Sequence, residues 1–384
     1  MRKNIFVMNA LVIIFWMAMN VYMPNLPAYA QSLGANAVTL GLIGGVYGVS
    51  MAVGRIPLGL FTDNTAKRKR LLIIGSVMLV LSCGILVFAQ DTGMIILGRL
   101  LAGASGAWWV TQNATYANYF NEEKQMKAQG MLSASMSWGK LAAALVGGLV
   151  AQFAGIHPVF VLALVIAVAC VLLSWQIRDV QPAKLERKTF GDFLSAMKNA
   201  DLMKLTGLMI ISNALGFAAP ILFTLLAARD LGGSSLDMGL LNVVYFLAAA
   251  LSSLFVGTRN YRKIGGIRAT VLGFVLGGIS CMPLFYHINL TVIYLTQVLC
   301  GISFGIVGAA LGGMVNRCVQ PGGRGIAIAI FNSLNALGVL FGPILAGHVI
   351  EAWGFNACYW MLAAMMGAGA ILSTIIIPKK YGAM

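Results

Sequence analysis

The sequence predicts an all-α integral membrane protein with twelve transmembrane helices in two six-helix bundles related by a pseudo-two-fold repeat. Three observations predict it. First, the 384 residues are 59% hydrophobic and only 10% charged, with a mean hydropathy of +0.87, against about 25% charged in globular chains. A water-soluble domain of this length would lack the polar side chains to cover its surface. Second, charged and turn residues cut the chain into twelve apolar runs, at 4–28, 38–62, 71–90, 93–119, 128–154, 157–177, 203–228, 237–257, 267–287, 289–315, 325–350 and 356–377. A helix needs about 20 residues to cross the hydrocarbon core, and a backbone in lipid must satisfy its own hydrogen bonds. The alternation of transmembrane strands is absent. Third, residues recur at a fixed offset in the two halves. Gly41 and Gly239, Tyr47 and Tyr245, Gly59 and Gly257, Gly103 and Gly301, and Asn118 and Asn316 lie 198 apart; Gly139 and Gly338, Gly148 and Gly347, and Gly155 and Gly354 lie 199 apart.

The first run, which starts at MRKNIFVMNALVIIFW and extends to residue 28, is too long for a signal-peptide core and has no clean cleavage site, so it reads as helix 1. The positive-inside rule then orients the chain. With both termini in the cytoplasm, inner segments hold 22 of the 26 Lys and Arg, and outer segments hold only Arg229. Arg55, Arg99 and Lys140 fall within helices. The formal net charge of +15 belongs to these inner loops, which favour insertion and anionic lipid. No basic segment sits on a soluble domain, which excludes nucleic acid as a partner. The expected location is the cytoplasmic membrane, and the expected partners are membrane lipid, protons and a small-molecule substrate, with the protein a monomer. The polar stretch DVQPAKLERKTFGDFLSAMKNAD reads as a cytoplasmic linker at 179–201, between bundles at 1–178 and 202–384, with FGDFLSAMK as a short surface helix. Two parallel six-helix repeats fit a transporter with its site between the halves near mid-membrane.

Several motifs carry a family resemblance. GLFTDNTAKRKR resembles the loop motif between helices 2 and 3 of the major facilitator superfamily, matched at Gly59, Asp63, Lys67 and Arg68; Asn64 and Ala66 depart from it, where a base and a glycine are usual. LGRLLAGASGA, from Leu97, resembles the helix 4 motif of the drug-antiporter branches, which carries an arginine. GKLAAALVGG, from Gly139, resembles the helix 5 antiporter motif only in its last two glycines; Ala143 and Ala144 stand where Gly-Pro is usual, and Gly342-Pro343 sits at the repeat-equivalent place in helix 11. The resemblance implies alternating access, with Asp63 in a latch on the inner gate together with Gly59, Lys67 and Arg68.

An ionisable residue inside a membrane helix is a functional candidate by default. Arg55 lies two turns before Asp63 on the same face and either pairs toward Asp63 or points into the cavity. Arg99 and Lys140 are expected to take a direct part in binding, against the plainer reading that Arg99 bonds backbone carbonyls and Lys140 snorkels. All eleven acids fall in loops or at helix ends, so neither cation has an intramembrane counter-charge, and the cavity should favour anionic, zwitterionic or neutral ligands. Further candidates for the cavity wall are Asn20, Asn113, Trp138, Asn213, Asn242, Tyr245, Gln297, Asn332 and Asn335; for each the plainer alternative is a tie between helices or, for the aromatics, an interface anchor. The six cysteines are scattered singly, without metal or disulfide spacing. No phosphate-binding loop or acid–base pair appears, so neither an enzyme nor a cofactor is expected. The function expected is secondary active transport, as a proton-coupled exporter of an amphipathic organic compound; the alternative is an organic-anion uptake or exchange carrier with Arg99 and Lys140 as counter-charges.

Overall fold

The structure is a computed structural model that describes residues 2–65, 67–120, 125–179, 189–256, 264–282, 289–319 and 324–381, but not the side chains of Arg2, Asp63, Gln125, Met126, Lys127, Arg324 and Gly325 within them. The helices of the first half are α1 (Arg2–Asn20), α2 (Leu26–Ser32), α3 (Ala37–Asn64), α4 (Arg68–Val87), α5 (Thr92–Ala107), α6 (Trp109–Ala117), α7 (Gln125–Ala154) and α8 (Ile156–Gln176). Then come α9 (Phe190–Met197), α10 (Ala200–Ala218), α11 (Thr224–Asp230), α12 (Ser235–Phe255), α13 (Gly266–Cys281), α14 (Leu290–Val315), α15 (Arg324–Leu334) and α16 (Ala336–Ile376). Among the described residues, ten helical stretches are long and apolar enough to cross a membrane; α13 is a shorter apolar helix, and the stretch Ile326–Ile376 turns at Gly354 and so contains two spans. These make twelve. Large apolar side chains such as Phe61, Leu81, Val165, Leu254 and Ile375 remain exposed, as a lipid-facing surface requires.

The predicted runs are interrupted where the backbone chemistry changes. The first was expected to continue to residue 28. It stops at Asn20, because Pro24 brings no N–H to continue the ladder, and restarts as α2 with Pro27 in its first turn. The fourth run bends at Trp108, between α5 and α6. The seventh widens into a π-turn at Ala219–Phe223 around Pro220. Gln297 donates from Nε2 to the Pro220 carbonyl at 3.1 Å, a side-chain bond to the backbone of the irregular turn. FGDFLSAMK forms a helix as expected: α9 has a capping box in which Thr189 and Asp192 bond each other's backbone.

Backbone geometry repeats between the halves. Gly34 and Gly232 are both left-handed (φ 87° and 84°), as are Gly155 and Gly354 (φ 86° and 84°), a conformation glycine adopts without penalty. The last pair turns one span into the next, α7 into α8 and the first part of α16 into its second. The halves meet most tightly at the end away from the basic loops. There α3 runs along α16 and α7 along α12. A Cβ on Gly148 would lie 2.9 Å from the Cα of Gly239, and one on Gly347 would lie 3.2 Å from the Cα of Gly41. These four glycines are two repeat-related pairs, so one contact has been built twice. The same symmetry governs two hydrogen bonds. Glu351 accepts from the backbone N–H of Ala37 at 3.1 Å, and Gln152 accepts from that of Leu236 at 3.3 Å. Each side chain caps the first turn of a helix in the opposite half.

Candidate functional site

At the basic end the halves part around a cavity of about 250 Å³. Its wall is supplied by α3 (Arg55, Ile56, Gly59, Leu60), α6 (Trp109, Val110, Asn113, Ala114, Ala117), α7 (Gln129), α15 (Ile326, Ile328, Ala329, Asn332), α9 (Phe193) and the N-cap of α9 (Thr189). The lining is mainly aliphatic and aromatic, with one charge and a few amides, the usual make-up of a small-molecule site.

Arg55 is only 9% exposed. Its Nη1 donates to the Asn332 carbonyl, so the guanidinium bridges α3 of the first half and α15 of the second. Its Nε is buried without an acceptor. Asn113 donates from Nδ2 to the Trp109 carbonyl at 2.8 Å, while its Oδ1 is buried without a donor. Two residues that line the cavity therefore each carry one buried polar atom, a donor on Arg55 and an acceptor on Asn113, left unmatched by protein.

Lys140 sits deeper, beyond Trp109. Its ammonium lies 4.9 Å from the centre of the Trp16 ring on α1 and 5.6 Å from that of Phe246 on α12. Trp16 meets Trp109 edge to face at 5.8 Å, which links this cage to the cavity wall. The two cation–π contacts again join one half to the other.

Of the predicted site residues, Arg55, Gly59, Asn113 and Asn332 come together in the cavity. Others are placed as helix ties. Arg99 is 4% exposed and lies 4.6 Å from the Tyr47 ring centre; it donates to the Ile43 carbonyl at 3.4 Å and the Tyr22 hydroxyl at 3.5 Å. Asn20 donates to the Trp16 carbonyl at 2.8 Å, and Asn213 to the Asn335 carbonyl at 3.2 Å. Tyr245 packs on Phe246 and Phe304, and its carbonyl is the group that a Cβ on Gly301 would strike. Tyr47 stands in the same relation to Gly103. Asn242 is buried with Oδ1 unpaired, away from the cavity lining. Trp138 is 66% exposed on a stripe with Leu145 and Leu149, because it is about 200° around the helix from Lys140 two residues later.

In the loop motif, Lys67 is exposed. Arg68 is buried, and donates to the Thr62 carbonyl at 3.1 Å and the Ala114 carbonyl at 2.7 Å. It holds the end of α3 to α6. The carboxylate of Asp63 lies outside the described residues. Gln129, Thr189 and Phe193 were not anticipated. Phe193 is 7% exposed while its neighbours Phe190 and Leu194 are exposed, so the amphipathic pattern of FGDFLSAMK was the signal that could have located it.

Comparison with known proteins agrees with this architecture. A family model described as Major Facilitator Superfamily matches residues 8–217 and 205–383. Multidrug resistance protein MdtG of Yersinia enterocolitica is 26% identical over 97% of this chain and 92% of its own length. The nucleoside transporter NupG superimposes with a TM-score of 0.79 at 14% identity, covering 97% of this chain and 98% of that one. The human organic anion transporter MFSD10 superimposes with a TM-score of 0.70 at 18% identity, covering 97% of this chain and 99% of that one.

Proposed function

This chain belongs to the Major Facilitator Superfamily, and from that premise we propose that it exports an amphipathic organic compound in exchange for protons, by alternating access. It is a transporter and an integral membrane protein, not an enzyme. The observation that carries the proposal is the asymmetry of the cavity: open between the halves at the basic end, sealed at the other by two repeat-related glycine contacts. We assign the basic end, and with it both termini, to the cytoplasm, and take residues 1–178 and 202–384 as the two bodies that rock about the site. The cavity then loads from inside the cell. Its apolar wall suits the hydrocarbon part of a substrate, and Arg55, Gln129, Asn113 and Asn332 suit a polar part. Similarity to Multidrug resistance protein MdtG supports the outward direction.

Lys140 is the proton-carrying group of this proposal. It lies within a membrane span, it is held by aromatic rings from both halves, and an amine can gain or lose its charge as the halves exchange partners. The test is transport of an amphipathic fluorescent dye into proteoliposomes under an imposed pH gradient. Dye movement should follow the gradient and stop when a protonophore collapses it. Lys140→Ala should leave gradient-independent exchange while removing the response to pH. Transport indifferent to a gradient of either sign defeats proton coupling.

A further inference from the structure

We infer that Arg55 is the point at which the cavity recognises an anionic group, so that the compound carried is an amphipathic organic acid. The inference rests on the transport proposal above and names the substrate class of that same cavity.

Among the described residues, Arg55 is the one charged member of the cavity lining, and no acidic side chain shares the wall with it. The guanidinium stays charged at any physiological pH, and a buried cation without a counter-charge is expensive. Asn332 satisfies one edge through Nη1. The buried Nε has no partner, and an edge that includes Nε is one a carboxylate can approach side-on with two oxygens. Lys140 faces the rings of Trp16 and Phe246 and brings no negative charge to the cavity. Arg99, the cation first expected here, is engaged with Tyr47, Tyr22 and the Ile43 carbonyl. A cationic amphiphile would meet the Arg55 guanidinium and no carboxylate among the described lining residues. An anionic one completes the valence of Arg55 and lowers the cost of burying it. The unmatched Oδ1 of Asn113 adds a place for one hydroxyl or N–H on the ligand. Ile56, Leu60, Trp109, Val110, Phe193 and Ile326 form the apolar surface for its tail.

The experiment is equilibrium binding by isothermal titration to the protein in phosphatidylcholine nanodiscs, which supply no anionic headgroup. Three probes of one length are compared: octanoate, octanamide and octylammonium. The wild type should bind octanoate at least tenfold tighter than octanamide, and octylammonium least. Arg55→Gln should keep octanamide binding, which reports an intact cavity, and lose the preference for octanoate. Arg55→Lys, which keeps the charge without the fork, should retain part of it. Equal binding of octanoate and octanamide, binding of neither, or an undiminished preference in Arg55→Gln would each overturn the inference. Suppression of octanoate binding by phosphatidylglycerol in the nanodisc would also overturn it, assigning the site to a lipid headgroup. Binding needs no gradient, so this result and proton-driven transport stand or fall separately.

Discussion

Arg55 and Arg99 are both intramembrane arginines in the first half, yet their surroundings give them different work. Arg99 has a ring face, a carbonyl and a hydroxyl, all from α3 and the turn after α1, and it stitches those elements to α5. Arg99→Lys keeps the charge but loses the planar contact with Tyr47. It should lower unfolding stability in detergent by about 1–2 kcal/mol, as a desolvated cation–π contact is worth, and leave substrate affinity unchanged. A large fall in affinity with normal stability would show that Arg99 reaches the substrate. Sequence reasoning took Arg99 and Lys140 as binding candidates and Arg55 as a gating residue, because helix rise gives a residue's depth, whereas its partners come from other helices. The amides follow the same rule. Asn213 and Gln297 bond the backbone carbonyls of Asn335, at a helix junction, and Pro220, in the π-turn, and Asn113 alone among them stands on the cavity wall with an unmatched oxygen.

Two sets of helix caps lie at the two ends of the molecule. The first is on α9, whose Phe193 forms part of the wall. Its capping box depends on Asp192, whose carboxyl is held below the usual carboxylate range by the backbone N–H and hydroxyl of Thr189. Because the folded pKa is depressed, the cap is present above the ordinary carboxylate pKa and is lost as pH falls through the depressed value. Thr189→Ala removes the cap at any pH, a loss of about 1 kcal/mol of helix stability, and should speed hydrogen exchange in α9 before any other described helix. The second set is the pair of side-chain caps, Gln152 on Leu236 and Glu351 on Ala37. The double variant Gln152→Ala with Glu351→Ala should loosen the sealed end. A cysteine placed at Leu40 in a thiol-free background should then react faster with an impermeant maleimide from outside; an unchanged rate would mean that the glycine contacts suffice alone. The capping boxes were legible locally, since Ser/Thr with Asp three residues on is a local signal. The cross-half caps were not, because their partners lie 84 and 314 residues apart.

For the whole molecule, transport requires that the seal at one end and the cavity at the other exchange places. Gly148 and Gly239 touch across the halves, and a Cβ on either would lie 2.9 or 2.8 Å from the other's Cα, closer than a side chain tolerates, so Gly148→Val and Gly239→Val should each force the seal apart. Each variant should slow transport and raise the reaction of a cysteine at Leu40 with an impermeant maleimide from outside, with helical content unchanged. Transport at the wild-type rate in both variants would rule out closure at this seal. The bundle that performs this motion was legible early. Twelve apolar runs, the basic loops on one side and the 198–199 offset are properties of the chain itself, set by hydrocarbon thickness, by the insertion of charge and by the duplicated backbone. The repeat even named the glycines of the seal, since Gly41, Gly148, Gly239 and Gly347 were marked by offset alone. What the offset left open was which of them touch.

The sequence by itself therefore determined the membrane class, the number of spans, the repeat and the set of intramembrane polar residues, because each follows from local composition and period. Only the tertiary structure decided that Arg55 rather than Arg99 faces the cavity, that Lys140 lies between aromatic rings of opposite halves, and that a residue of the linker region completes the wall. The physical reason is that a helix can present a polar group to lipid, to a neighbouring backbone or to a cavity at the same depth, and the choice is made by helices far away in the chain.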